Sequence, residues 1–212
     1  MKIEATFVRS AAGEVDFPAG GAPALAIVGR SNVGKSSLIN ALVRQRVART
    51  SATPGKTRLA NIYRVRRGAS PPLVLVDLPG YGYARGGTDG FGPLVAAYFE
   101  AAQGHTGTLL LVDARHPGLD SDVAAWDWLR HGVAPTRIVA TKIDKLARGQ
   151  RIRALGELQS VFDNPVLPVS AVTGEGLDEL WKLIDRLTYN PKPTRPSRSS
   201  RAATAPPPHP SG

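Results

Sequence analysis

Short apolar runs alternate with amphipathic stretches along most of this chain. The apolar runs predict strands at residues 3–8, 24–28, 59–65, 71–80, 108–114, 137–144 and 165–169. Helical spacing of apolar positions and polar starting residues predict helices at residues 36–43, 94–102, 120–130, 149–161 and 177–187. Residues 17–23, rich in Gly, Pro and Ala, predict a linker, and residues 81–92 predict a glycine-rich loop.

Strands that alternate with helices favour an α/β fold in three layers. We expect a mostly parallel six-stranded sheet with helices on both faces. Ligands of such sheets bind beyond the carboxyl ends of the strands. Lys35, Asp77, Asp144 and Ser170 each come just after a predicted strand, so the sequence predicts that they converge at one edge of the sheet.

Length and composition predict how the chain is organised. A chain of 212 residues suits one such domain, expected at residues 23–190, with the strand and linker of residues 1–22 joined to it. Residues 191–212 hold four basic residues and no acid, which predicts a disordered tail. The chain has no cysteine, no apolar run of about 20 residues and no signal-peptide pattern. We therefore expect a cytoplasmic monomer that does not insert into membranes.

The net charge of +10 points to a polyanionic partner such as nucleic acid or an anionic membrane surface. Residues 44–67 contribute eight basic residues and no acid. This segment is predicted to form one basic surface beside the candidate chemistry described next.

The sequence GRSNVGKSS at residues 29–37 fits the pattern G-x-x-x-x-G-K-[ST] between a predicted strand and a predicted helix. Glycines let such a loop curl around a phosphate, and the helix N-terminus favours the negative charge. Lys35 would reach the β- and γ-phosphates, and the Ser36 hydroxyl would ligate Mg²⁺. The motif indicates a nucleoside triphosphate without choosing the base.

Asp77 to Gly80 form a D-x-x-G sequence at a strand end. Asp77 can hold Mg²⁺ through water, and the Gly80 amide can bond the γ-phosphate, so this loop can sense hydrolysis. Thr57, in a stretch of turn residues, is the candidate for a second hydroxyl on Mg²⁺, and a threonine that only forms the turn is the alternative.

The sequence TKID at residues 141–144 predicts the base. The Asp144 carboxylate can accept hydrogen bonds from guanine N1–H and its exocyclic amine, whereas adenine offers no such pair, and Lys142 would lie along the ring. Backbone amides of Val169, Ser170 and Ala171 are candidates to contact the guanine O6 atom, with the Ser170 hydroxyl bracing their loop.

In this order, GRSNVGKSS, TPGKT, DLPG, TKID and VSA resemble the five motifs of a translation-factor-class GTPase. The details, above all DLPGYGYA, closely resemble the EngB (YihA/YsxC) family of bacterial GTPases over roughly residues 3–187. The resemblance implies a P-loop GTPase fold, GTP and Mg²⁺, a role in assembly of the large (50S) ribosomal subunit and a link to cell division and septation. The large subunit and its rRNA are the implied partners.

The resemblance also implies a set of site residues. Catalytic roles fall on Lys35, Ser36, Thr57 and Gly80, and metal binding on Ser36, Thr57 and Asp77. The residues expected to contact GTP are Gly29, Arg30, Ser31, Asn32, Val33, Gly34, Lys35, Ser36, Gly55, Lys56, Thr57, Arg58, Leu59, Asp77, Leu78, Pro79, Gly80, Thr141, Lys142, Ile143, Asp144, Val169, Ser170 and Ala171.

Three positions bear on how such a site would work. Thr141 stands where Asn is commoner, and we expect weaker bracing of the phosphate loop but intact guanine selectivity. Tyr81 follows D-x-x-G, where many GTPases have a water-orienting Gln, so slow intrinsic hydrolysis is expected. Asn32 matches a position that coordinates an activating K⁺ in related GTPases, and a simple turn residue is an equal alternative.

Three other functions stay open from the residues. One is a binding module that uses GTP only for ordering. A second is a P-loop ATPase or kinase, which the TKID setting of Asp144 disfavours. A third is a GTPase at the membrane surface, for which no lipidation signal is present.

Overall fold

A computed structural model describes residues 2–17, 19–49, 59–81, 92–101, 103–132 and 134–189. The strands are β1 (Ile3–Ala11), β2 (Ala19–Gly29), β3 (Ala60–Arg67), β4 (Leu73–Asp77), β5 (Gln103–Asp113), β6 (Thr136–Thr141) and β7 (Val166–Pro168). The helices are α1 (Lys35–Val43), α2 (Pro93–Ala101), α3 (Asp120–Leu129), α4 (Arg148–Phe162) and α5 (Leu177–Thr188), with short 3₁₀ turns at Glu14–Asp16 and Ile143–Lys145. Each predicted strand and helix is present, with shifted ends.

The strands form one sheet in the order β1-β3-β4-β2-β5-β6-β7. The pairs from β4 through β7 are parallel, whereas β1 with β3 and β3 with β4 are antiparallel. The predicted count of six strands is wrong, because the sheet has seven. Strand β1 pairs along the whole of β3, from Ile3 opposite Arg67 to Ala11 opposite Ala60, so the N-terminal strand is an edge of the same sheet.

The predicted linker at residues 17–23 is also wrong from residue 19 onward, because β2 begins at Ala19. Gly20 and Gly21 have φ angles of 106° and 95°, which few other residues adopt. The register of β2 against β5 shifts between Ala19 and Ala24. Glycines that signal a turn in the sequence here allow an irregular start to a long strand.

Two hydrophobic cores lie on opposite faces of the sheet. Along β2, Leu25 and Ile27 belong to one core, and Ala24, Ala26 and Val28 belong to the other. Buried residues of α1 and α5 complete the first core, and those of α2, α3 and α4 complete the second. Because helices cover both faces, the central strands are apolar throughout, as the three-layer prediction requires.

Among the described helices, none combines the length and the apolar character that crossing a lipid bilayer requires.

Candidate functional site

The loop between β2 and α1 has the conformation that a phosphate loop needs. Gly34 is the residue that precedes α1 and has a φ of 107°, a left-handed conformation suited to glycine. A Cβ on Gly29 would lie 2.8 Å from the Leu111 carbonyl oxygen, so only glycine fits there. Within the described part of the chain, the amides of Gly34, Lys35 and Ser36 donate no hydrogen bond. These amides at a helix N-terminus can bind an anion.

The Lys35 side chain turns back onto its own loop. Its Nζ atom donates to the Gly29 carbonyl at 3.1 Å and to the Arg30 carbonyl at 3.5 Å. Burial lowers the pKa of Lys35, while the negative charge of Asp77 opposes that shift. A phosphate at this loop would give the ammonium a stronger partner than two carbonyl oxygens.

Ser36 and Asp77 meet across the sheet edge, where α1 begins and β4 ends. The Ser36 hydroxyl donates to Asp77 Oδ2 at 3.4 Å. Asp77 is 2% exposed, and its Oδ1 atom has no hydrogen-bond partner among the described residues. Burial raises the pKa of Asp77 to about 6, against the opposing effects of Lys35 and Ser36. An orphaned buried carboxylate oxygen next to a hydroxyl suits a hydrated divalent cation.

The D-x-x-G loop lies directly against the phosphate loop. The Leu78 amide donates to the Ile27 carbonyl at 3.1 Å, and the Ser31 amide donates to the Tyr81 carbonyl at 3.2 Å. A Cβ on Gly80 would lie 2.8 Å from the Ser31 nitrogen, so the close approach requires glycine. The Gly80 amide donates no hydrogen bond within the described ranges.

Thr141 at the end of β6 contacts the phosphate loop. It is 4% exposed. Its hydroxyl lies 2.7 Å from the Val33 carbonyl oxygen and 3.1 Å from the Val112 carbonyl oxygen. A hydroxyl donates to one carbonyl at a time, so we assign its hydrogen bond to the closer acceptor, the Val33 carbonyl of the phosphate loop.

Asp144 and Ser170 come together from different strand ends. The Ser170 hydroxyl donates to Asp144 Oδ1 at 2.7 Å and accepts from the amides of Val172 and Thr173. The bond from Ser170 is the main reason that the pKa of Asp144 lies below its ordinary value. The carboxylate is thereby held ionised, which is the form that accepts two hydrogen bonds from guanine.

Only one of the three candidate amides after β7 is available for a ligand. The Val169 amide donates to Ala140 at 2.8 Å, and the Ser170 amide donates to Glu175 at 2.9 Å. The Ala171 amide donates no hydrogen bond to any described residue. Val169 is also fully buried, so it supports the loop from the core.

Sequence reasoning missed the groups that hold Lys142. Lys142 Nζ donates to the Asn32 carbonyl at 2.5 Å and to Asp113 Oδ2 at 2.9 Å. Asp113 ends β5, and Arg115 binds it through two side-chain nitrogens. Burial acts to raise the pKa of Asp113, but hydrogen bonds from Arg115 and Lys142 outweigh it and lower that pKa. An acid and an arginine two residues apart, directly after an apolar strand, are the sequence pattern from which the Asp113–Arg115 pair could have been predicted.

The remaining predicted site residues have varied surroundings. Leu78 and Ile143 are buried, Leu59 is exposed, and Asn32 is exposed with a φ of 64°. The predicted residues Gly55, Lys56, Thr57 and Arg58 lie outside the described residues, as do the tail and residues 82–91.

The described parts of the basic segment, residues 44–49 and 59–67, do not lie on one surface, which corrects that prediction. Side chains alternate along β3, so Arg64 and Arg66 lie exposed on one sheet face. Arg67 faces the other way, where it bonds Asp185 and lies 4.6 Å from the Trp181 ring centroid. Arg9 on β1 pairs with Ile62, which places it on the face of Arg64 and Arg66.

A phosphate loop, a D-x-x-G loop and a base motif at the carboxyl edge of this sheet define a P-loop GTPase. The model of the family described as 50S ribosome-binding GTPase matches residues 24–142. A probable GTP-binding protein EngB from Pelotomaculum thermopropionicum is 43% identical over 88% of this chain and 96% of that protein. One from Heliobacterium modesticaldum is 41% identical over 87% of this chain and 93% of that protein. The chain belongs to the EngB family and is therefore a GTPase that binds and hydrolyses GTP.

Solved structures agree on the fold. The Era structure in complex with MgGDPNP and nucleotides 1506–1542 of 16S ribosomal RNA has a TM-score of 0.68 at 25% identity, over 83% of this chain and 60% of the Era chain. A crystal structure of a probable GTP-binding protein engB has a TM-score of 0.58 at 24% identity, over 77% of this chain and 97% of that chain.

Proposed function

We propose that this GTPase acts in the cytoplasm as a nucleotide-dependent switch in assembly of the large ribosomal subunit. The observation that carries the proposal is the exposed sheet face of β1 and β3, which presents Arg9, Arg64 and Arg66. None of these three arginines has an ion pair within the described residues, and Glu4, which lies opposite Arg66 across β1 and β3, forms its ion pair with Lys2. A GTPase with such a face suits an RNA partner.

The phosphate end of the site would hold the triphosphate and Mg²⁺. The amides of Gly34, Lys35 and Ser36, which donate no hydrogen bond within the described ranges, would bind phosphate oxygens. Lys35 would move from its loop carbonyls to the β- and γ-phosphates. Ser36 and Asp77 fit Mg²⁺ because Asp77 Oδ1 is buried and has no hydrogen-bond partner in the described part of the chain. Mg²⁺ bound there would neutralise part of the negative charge of the phosphates. Thr57 remains a proposed second hydroxyl ligand.

The base end of the site would select guanine. Asp144, held ionised by Ser170, would accept from guanine N1–H and the exocyclic amine. The Ala171 amide, which has no acceptor among the described residues, would donate to O6, and Lys142 would lie along the ring, fixed by Asp113. An adenine in this position would leave the Asp144 carboxylate and the Ala171 amide without partners, which makes the binding free energy less favourable.

Intrinsic hydrolysis would be slow because the residue after Gly80 is Tyr81 and not the water-orienting Gln of many GTPases. Tyr81 occupies the position of the usual Gln and is 5% exposed, with its hydroxyl bonded to Asp122. Lys35, Ser36 and Gly80 would stabilise the charge on the transferred phosphoryl group. An activating K⁺ at Asn32 is part of the proposal, tested by comparing turnover in K⁺ and Na⁺ and by the Asn32→Ala variant.

The test of the ribosomal role is co-sedimentation of the purified chain with large ribosomal subunits, loaded with GDP or GDPNP. We expect binding that prefers GDPNP and weakens with salt. GTP turnover, measured with and without subunits, separates a switch from a module that uses GTP only for ordering. Anionic vesicles form a third arm for a membrane-surface GTPase. Absence of binding to subunits in either nucleotide state at low salt would contradict the proposal.

The resemblance to EngB proteins extends the proposal to cell division. Depletion of the protein in its host should reduce the level of mature large subunits before septation fails. Filamentation without any change in the ribosomal subunit profile would contradict that order.

A further inference from the structure

Tyr81 is tied at both its backbone and its side chain. Its carbonyl accepts from the Ser31 amide in the phosphate loop, and it forms a parallel bridge with Arg30. Its ring is buried in the core between the sheet and helices α2 to α4. Its hydroxyl donates to Asp122 Oδ1 at 2.8 Å, in the first turn of α3. The residue after D-x-x-G is therefore fixed to two different elements.

Asp122 is an unusual partner because it is only 1% exposed. Burial raises the pKa of Asp122, while the bond from Tyr81 and the charge of Arg30 act in the opposite direction. Arg30 is the second residue of the phosphate loop, and its buried Nε atom has no hydrogen-bond partner within the described ranges. Asp122 thus interacts with one residue from each of the two loops that would surround the γ-phosphate.

The adjacent Gly80 is confined by the same contacts. A Cβ there would lie 2.8 Å from the Ser31 nitrogen and 2.9 Å from the Ser31 Cα, so Gly80 touches the phosphate-loop backbone. Its amide is free among the described residues. The Gly80 N–H lies in the peptide plane that joins Pro79 and Gly80. Tyr81 follows on the other side of Gly80, so fixing it limits the backbone torsions of Gly80 and thereby the direction of that N–H.

We propose that Tyr81 is a positioning residue that, through its hydrogen bond to Asp122, holds the Gly80 amide where the γ-phosphate of GTP will lie. The bond therefore favours GTP over GDP, because GDP has no γ-phosphate and does not need that amide. A preset donor also costs no reorganisation during hydrolysis. The inference uses the proposed Gly80 contact, but it does not depend on any ribosomal role.

The test is the Tyr81→Phe variant, which removes the hydroxyl and keeps the ring. We expect its affinity for GDPNP to fall about fivefold to twentyfold and its affinity for GDP to change less than about twofold. Turnover of GTP should fall with the GDPNP affinity. The matched control is Tyr98→Phe, since Tyr98 is fully buried in the same core and its hydroxyl bonds His105. That control should leave the ratio of the two affinities unchanged.

The Asp122 variants make a second test if Tyr81→Phe does not fold. Asp122→Asn keeps an oxygen that can accept from Tyr81 and should preserve the ratio of GDPNP to GDP affinity, whereas Asp122→Ala should lower it. The proposal is overturned if Tyr81→Phe keeps the wild-type ratio, or if both Asp122 variants change it equally. Purified protein and nucleotides suffice, so either result is independent of whether the chain binds ribosomal subunits.

Discussion

At the scale of single residues, we propose that Asp144 selects the base. Its carboxylate is held ionised by Ser170 at 2.7 Å and is 10% exposed. We expect Asp144→Asn to lower GDP affinity about a hundredfold or more, roughly 3 kcal/mol, because an amide cannot accept from both guanine donors. The same variant should gain affinity for xanthine nucleotides, whose C2 oxygen can accept from the amide. Competition titration with GDP, XDP and ADP measures both effects.

The outcome that would contradict this assignment is equal affinity of the unmodified protein for GTP and ATP. Lys145→Ala is a suitable control, because it removes a charge near Asp144 and leaves the carboxylate in place. Lys145 is exposed, and its Nζ atom lies 3.6 Å from Asp144 Oδ2. It should change GDP affinity by less than about threefold, as expected for an exposed ion pair.

Motif spacing could predict which residues form the candidate site, but not the contacts that position their side chains. Lys35, Asp77 and Asp144 follow strands, and parallel strands bring such residues together. The roles of Asp113, Asp122 and the Ala171 amide depend on which distant groups fold against them, and no local pattern encodes that. The alternation along β3 was visible in the sequence, yet the separation of Arg67 from Arg66 requires knowing which face α5 covers.

At the scale of elements, the end of strand β6 is hydrogen-bonded to the loop that precedes α1. The Thr141 hydroxyl reaches the Val33 carbonyl at 2.7 Å. Thr141→Val keeps the shape but removes the bond, so we expect GDP affinity to fall several-fold and unfolding free energy to fall by about 1 kcal/mol. Isothermal titration and urea denaturation measure these changes.

Thr136→Val is the matched control for the Thr141 hydrogen bond. Thr136 lies at the other end of β6 with similar burial, and its hydroxyl makes only a 3.4 Å contact to the Leu129 carbonyl. It should leave GDP affinity unchanged. An equal loss of affinity in both variants would mean that Thr141 acts through strand stability and not through the phosphate loop.

The end of α2 and the start of β5 lie close to His105, whose burial links stability to pH. Burial lowers the pKa of His105 to about 4, and its ring nitrogens lie 3.2 Å from the hydroxyls of Tyr98 and Thr108. Between about pH 6.5 and pH 4 the unfolded chain binds a proton that the folded chain excludes, so stability falls as pH falls. From pH 7.5 to 5, His105 should account for about 1 to 2 kcal/mol of lost unfolding free energy.

Replacing His105 removes this titration. His105→Gln, measured by urea denaturation at both pH values, should lose less stability on acidification than the unmodified chain by that amount. His116→Gln alters an exposed histidine and should follow the unmodified chain. If His105→Gln loses as much stability as the unmodified chain, the imidazole is not excluded from protonation in the folded state.

At the scale of the whole molecule, the nucleotide site and the proposed RNA face lie at different places on the sheet. The nucleotide residues lie at the carboxyl ends of the central strands, whereas Arg64 and Arg66 lie toward the other end of β3, at the sheet edge formed with β1. Residues i and i+2 of a strand are about 7 Å apart, a spacing that lets two arginines contact successive phosphates. The edge position leaves this face open to a large partner.

The double variant Arg64→Glu with Arg66→Glu tests that face. If each arginine contacts one phosphate, the slope of log affinity for large subunits against log salt should become shallower by about 1.4 to 1.8, because each contact contributes about 0.7 to 0.9. The matched control is Arg148→Glu with Arg153→Glu, which makes the same charge change on exposed arginines of α4, packed against β7 at the opposite edge of the sheet. GDP affinity should stay unchanged in both. An equal loss of slope in the two double variants would show that net charge alone governs binding and that the β1–β3 face is not the docking surface.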